Sequence, residues 1–127
     1  MQGNDVGLQW DTAGVVVATR INDCVVVTAP GDLGRGRMSE LERVAVEYIV
    51  ADQTIAVIFE LSGVQFMDSL EFEEFKAVMH MVQHLGVQPM LVGLRPGIIA
   101  YLVETDVDIS GLSAALSLND ALAMLGR

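Results

Sequence analysis

The stretch "QFMDSLEFEEF", residues 65 to 75, places one hydroxyl, Ser69, directly after Asp68 and just ahead of Glu71, Glu73 and Glu74. Aspartate followed three positions later by glutamate is a D-x-x-E form of the capping box, in which each of the two side chains accepts a backbone N–H of the other's residue. Ser69 then falls in the first helical turn with its hydroxyl free to point outward. A phosphate on that hydroxyl would meet unpaired backbone N–H groups and the positive end of the helix dipole. Against this, Asp68 and the glutamates repel the roughly −1.5 to −2 charges that phosphorylation adds, and the exposed dipole contributes only ~0.3 to 1 kcal/mol. Modification of Ser69 is therefore expected to alter surface charge more than fold. The spacing by itself is also what ordinary helix capping produces.

Other residue sets offer less. "GDLGRGR", residues 31 to 37, has the glycines and arginines of a phosphate cradle but lacks the Lys-Ser/Thr pair of a P-loop and follows a strand through Pro30, so it reads as a helix-entry turn. Arg35 and Arg37 nevertheless concentrate positive charge in an acidic chain. They are placed to receive an acidic partner surface, or a phosphate on Ser69 if the two loops adjoin. His80 and His84 lie four apart on one helix, but no carboxylate or cysteine is spaced to complete a metal site, and a solvated pair is expected. Cys24, the single cysteine, sits in "DCVVVT" as a buried strand residue with no role assigned. No Ser/His/Asp set, facing carboxylate pair or cofactor fingerprint can be assembled, so neither an enzyme nor a cofactor is expected. A receiver domain with a phosphorylated aspartate would want an acidic pair after the first strand and a late lysine. The only lysine is Lys76.

Composition bounds the partners. A net charge of −10 with only 7 Lys and Arg argues against nucleic acid, whose phosphates need a basic stripe, and leaves proteins as the expected partners. The apolar runs are too short to cross a bilayer, and "MQGNDVGLQWDT" does not read as a secretion signal, so a cytoplasmic location is expected. At 127 residues the chain fits one domain.

The elements that must hold Ser69 follow from the hydrophobic periods. "GVVVATRI" and "CVVVTAP" are β-branched runs joined by the turn pair "ND", which predicts an antiparallel hairpin. Met38, Leu41, Ala45, Tyr48 and Ile49 recur at helical spacing. "TIAVIFEL" is apolar on both faces, as a central strand covered by helices would be. Phe72, Phe75, Val78, Met79, Val82 and Leu85 predict the buried stripe of a second helix, with Leu70, Ala77 and Met81 on an outer apolar strip. "QPMLVGL" predicts a strand, Pro96 opens a short helix through "IIAYLVE", and "AALSL" and "NDALAML" predict a last strand and a helix capped at Asn119 or Asp120. The order β, β, α, β, α, β, α, β, α implies one α/β domain with a mixed sheet flanked by helices. In such folds the loop from a parallel strand's carboxyl end into a helix is where function is placed, and Ser69 is in that loop's successor helix.

From about Gly14 to the end, the succession "CVVVTAP", "IAVIFELSGVQFMDSL", "MLVGLRPGIIAYLVE" and "LSLNDALAML" resembles the STAS family, the anti-sigma-factor antagonist domains. The short form without a sensor domain, the Asp-Ser pair at 68 and 69 and the "VGLRPGIIAYLVE" segment are most similar to the stressosome scaffold type within that family. The resemblance implies a STAS domain over 14–127, with 1–13 as an N-terminal extension read as a flexible tail. It implies that Ser69 is phosphorylated by a partner serine/threonine kinase, that a PP2C-type phosphatase reverses this, and that phosphorylation releases a kinase held by the unmodified surface. Asp68, Leu70, Glu71 and Glu73 beside the serine, with Arg35, Arg37 and Arg95, are the expected partner-binding residues. Sensor paralogues of the family would share a large assembly with the chain, which is itself expected to oligomerise. Such paralogues carry a second threonine on the strand before the Gly-x-Arg-Pro motif, where this chain has Val92, which favours the scaffold type. The alternatives are a free-standing anti-anti-sigma factor that binds an anti-sigma kinase, and an accessory subunit of a transporter.

Overall fold

β-Branched side chains suit a pleated backbone, and Val17–Ile21 and Cys24–Thr28 form strands β1 and β2. Asn22 takes a φ of 55° in the tight turn between them, which pairs the strands antiparallel with Ile21 opposite Cys24 and Val17 opposite Thr28. The computed structural model describes residues 15–34 and 36–127. The N-terminal extension and the contribution expected of Arg35 lie outside the described residues.

Helix α1 (Arg37–Ala51) leads to strand β3 (Ala56–Glu60), helix α2 (Ser69–His84) to β4 (Gln88–Val92), helix α3 (Pro96–Glu104) to the two-residue β5 (Ala114–Ala115), and helix α4 (Leu118–Met124) follows. The strands form one sheet in the order β1-β2-β3-β4-β5, parallel throughout except for the opening hairpin. This is the mixed α/β arrangement that the element order implies.

The sheet has two unequal faces. Alternate residues Val25, Val27, Val57, Phe59 and Leu91 enter the larger core with Leu41, Val44 and Ala45 of α1, the Phe72 to Val82 stripe of α2, and Ile98 and Leu102 of α3. Val26, Ile58, Met90 and Val92 point the other way, where Ala121, Leu118 and Leu122 of α4 cover them. Consequently Ala56, Val57, Ile58 and Phe59 are all buried, as the apolar run predicts for a central strand. Phe59 meets Phe75 edge to face with ring centroids 5.3 Å apart, which locks the first turns of α2 onto the middle of the sheet.

Several details differ from the periodic reading. Leu85 falls at the C-cap of α2, beyond the helical stripe, and is exposed. Met81 packs against the main core, so the outer strip keeps only Leu70 and Ala77. The last strand stops at Ala115 because Ser117 turns the chain into α4. Its hydroxyl accepts the Asp120 N–H at 3.2 Å, so Ser117, not Asn119 or Asp120, is the cap.

Two polar ties close the sheet ends. The Arg20 guanidinium on β1 donates to the Tyr48 and Gln53 carbonyls around the end of α1, supplying the positive charge that the helix's own last turn lacks. Arg127 grips both carboxylate oxygens of Asp23 in the β1–β2 turn, at 2.9 and 2.6 Å. Hydrogen bonding from Arg127 holds the Asp23 carboxyl below its usual range.

Phe59→Ala is expected to destabilise the fold by about 3 to 5 kcal/mol in urea titration, as aromatic deletions in a packed core do. Because the folded-state pKa of Asp23 is depressed, its contribution is fully present above the unfolded value of 3.8 and fades as pH falls through the folded value. Arg127→Ala should therefore lower the urea midpoint at neutral pH, and the difference from wild type should shrink once Asp23 is protonated. An equal difference at both pH values would contradict this account.

Candidate functional site

The carboxyl ends of β2, β3 and β4 feed three loops that touch. Ala29 donates to the Glu60 carbonyl at 3.0 Å, and Leu61 donates to the Val92 carbonyl at 2.9 Å. A Cβ on Gly31 would lie 3.4 Å from the Gly63 carbonyl, so the first two loops run backbone to backbone. Arg95 donates through Nε to the Ser62 carbonyl at 3.1 Å, and Phe66 stacks edge to face on Tyr101 with centroids 5.3 Å apart. Loop 61–68 is thus held from the α3 side at two points before it reaches α2.

Gly93 sets the spacing between these loops. Its φ is +77°, and a Cβ there would sit 2.8 Å from Glu60 Oε2, 3.0 Å from Ser62 Cβ and 3.1 Å from Ser62 N. Glu60 in turn accepts the Ser62 N–H at 3.1 Å and the Ser62 hydroxyl at 2.8 Å through Oε1. The carboxylate fixes the loop's exit from the strand, and only glycine at 93 lets the next strand end lie that close.

At the start of α2 the capping box is complete. Asp68 Oδ1 accepts the Glu71 N–H at 2.7 Å and Glu71 Oε1 accepts the Asp68 N–H at 3.0 Å. Met67 and Phe72 occupy the positions of a hydrophobic staple on either side of the cap, and both are buried in the main core. Ser69 is the first helical residue and is half-buried. Among the described residues its hydroxyl has no hydrogen-bond partner, and the N–H groups of Ser69 and Leu70 have no acceptor. Among the described residues the geometry therefore presents an unengaged hydroxyl beside two unengaged backbone donors.

The surroundings are acidic and apolar. Leu70, next to the serine in sequence, is 68% exposed, and Phe66, three positions before it, is 56% exposed. Glu73 pairs with Lys76 at 3.3 Å, whereas Glu74 is exposed without an ion-pair partner among the described residues. A Cβ on Gly34 would lie 3.9 Å from Glu71 Oε2, which brings Gly34 close to the capping carboxylate. Arg37, however, pairs with Glu40 of its own helix at 3.4 Å. Arg95 is committed through Nε to the Ser62 carbonyl.

The remaining sequence candidates sit away from this cluster. His84 Nδ1 lies 2.8 Å from the His80 carbonyl, an arrangement within one helix. Cys24 is buried, and burial pushes its thiol pKa up, away from reactivity. Sequence reasoning missed Phe66 and Tyr101 as a pair. The signal available was an aromatic residue two positions before the cap, in a loop whose other large apolar residues are Leu61, Val64 and Met67.

The STAS domain model matches residues 15–121. The chain belongs to the STAS domain family. Among solved structures, a serine-to-glutamate variant of RsbS from Moorella thermoacetica is 21% identical over 88% of this chain and 97% of its own, with a TM-score of 0.71. A chain from the molecular architecture of the stressosome, described as a signal integration and transduction hub, is 21% identical over 87% of this chain and 99% of its own, with a TM-score of 0.72. The SLC26A9 structure is 15% identical over 85% of this chain but only 20% of its own, with a TM-score of 0.67. No curated protein matches the sequence. These likenesses establish the fold, and the third shows it as a part of a much longer chain. Among the described residues no helix is long and apolar enough to cross a membrane.

Asp68→Ala removes one half of the capping box and should cost about 1 kcal/mol in urea titration, with Asp68→Asn recovering most of it. Gly93→Ala combines left-handed strain with the Glu60 and Ser62 contacts and should cost more than ~1 kcal/mol. If Gly93→Ala is neutral, the close packing of the strand ends is not what requires glycine.

Proposed function

We propose that this chain is a non-enzymatic regulatory module of a partner-switching pathway. In this reading the unmodified surface around Ser69 binds and sequesters a serine/threonine kinase, and phosphorylation of Ser69 releases it. The observation that carries the proposal is the Ser69 hydroxyl at the first turn of α2, unengaged among the described residues, with exposed Leu70 and Phe66 close to it in sequence. Exposed apolar groups of this kind give a partner something to bury, and a charge added to the hydroxyl would act on that contact.

The electrostatics agree with a switch at the interface. Phosphorylation would add about −1.5 to −2 charges beside Asp68 and Glu71, whose carboxylates are already engaged in capping. The capping box and the Met67–Phe72 staple keep the helix start in place, so the effect falls on the contact surface and not on the fold. Asp68, Leu70, Glu71 and Glu73, together with Arg35, Arg37 and Arg95, form the proposed partner-binding set. A PP2C-type phosphatase would restore the binding form, and sensor-type STAS paralogues would share a large cytoplasmic assembly in which this chain serves as the scaffold.

A second reading, an accessory domain acting with a membrane transporter, is favoured by the likeness to part of SLC26A9. Size and fractionation separate the two. The scaffold reading expects a very large particle on co-expression with sensor paralogues, whereas the accessory reading expects the chain to sediment with membranes.

Intact mass and kinase binding of wild type, Ser69→Ala and Ser69→Asp, each incubated with the serine kinase encoded nearest to it and ATP, test the switch. Wild type should gain one phosphate and Ser69→Ala none, while Ser69→Asp should bind the kinase about tenfold or more weakly. Identical mass and binding for all three would reduce Ser69 to part of a helix start.

A further inference from the structure

Behind the Ser69 surface, α3, the β4–β5 edge and the segment leading into β5 enclose a cavity of about 310 Å³. Its floor is made by buried Phe72, Leu91 and Leu102, and its rim by the partly exposed Ile99 and Ile109 and by Leu116, which is 90% exposed. Every lining residue is aliphatic, aromatic or glycine, so no side chain there offers a charge or a hydrogen bond. β5 is only two residues long, and this leaves the cavity open at the sheet edge.

We propose that this cavity binds a small uncharged amphiphile, with its aliphatic chain against Phe72, Leu91 and Leu102 and its polar head at the rim in water. The size is at the lower end of small-molecule sites and about twice that of an apolar cavity that stays dry and takes up benzene. The chemistry of the lining selects the occupant. A peptide segment laid into it would bury N–H and C=O groups that the lining side chains cannot satisfy. An anionic head is disfavoured by the chain's net charge of −10. Phe72 also belongs to the first turn of α2, and its N–H bonds the Asp68 carbonyl at 2.9 Å, so an occupant touches the inner side of the turn whose outer side carries Ser69. Binding in the cavity does not depend on phosphorylation of that serine.

The test titrates purified full-length chain with 1-octanol, octanoate and 1,6-hexanediol, reading Tm and amide shifts by NMR. 1-Octanol should give a saturable rise in Tm of about 5 °C at concentrations far above its Kd. Shifts should concentrate on Phe72, Leu91 and Leu102, with octanoate weaker and 1,6-hexanediol without effect. Ala114→Phe fills the cavity from β5 and should weaken 1-octanol binding at least about tenfold while the unliganded protein stays folded. If that variant does not fold, Ile99→Gln at the rim serves the same purpose. Absence of a saturable effect, or an effect unchanged in the folded variant, overturns the proposal. So does a dimer that Leu116→Asp dissociates, because a second copy would then cover the cavity mouth.

Discussion

Because Ala56, Val57, Ile58 and Phe59 have no solvent face, β3 requires a neighbour on each edge and a helical layer on each side. That requirement places β2 and β4 beside it, α1 and α2 over one face and α4 over the other. It also fixes where the chain must leave the sheet. Loop 61–68 exits at the strand's carboxyl end, where Glu60 and Gly93 set its path, and it delivers Asp68 to the start of α2.

The charges divide into two populations. Among the described residues each cationic side chain has a partner within the chain: Arg20 on helix-end carbonyls, Arg37 on Glu40, Arg43 on Glu47, Lys76 on Glu73 and the Asp108 carbonyl, Arg95 on Ser62, and Arg127 on Asp23. The acidic groups outnumber them, with 17 Asp and Glu against 7 Lys and Arg. The surface field is therefore negative while the cations act as fasteners. If a partner docks at the Ser69 surface as proposed, the contact draws on apolar groups such as Phe66 and Leu70, with charge deciding which encounters persist.

Features that depend on near neighbours in sequence were legible before the structure. The capping box is an i,i+3 device, the hairpin a two-residue turn, and the α2 stripe a simple period, so each could be read from residue types. Features that depend on two distant segments were not. The Arg95 link to Ser62 spans 33 residues, and the Phe66–Tyr101 stack joins a loop to a different helix. Ser117, Asn119 and Asp120 are all good capping types, and the choice among them depended on where β5 loses its partner, which no local pattern records. The glycine in "VGLRP" was visible as part of a motif, but its reason lies in Glu60 and Ser62 on the neighbouring strand end.

Lys76 is the sole lysine of the chain, and its side chain is only 14% exposed where it joins Glu73 and the carbonyl of Asp108. For covalent labelling this makes the side-chain amine inventory a single address. Acylation of that amine would remove the charge that meets Glu73 and replace the donor that the Asp108 carbonyl accepts. The reactivity of one amine thus reports on the contact between α2 and the Asp108 turn.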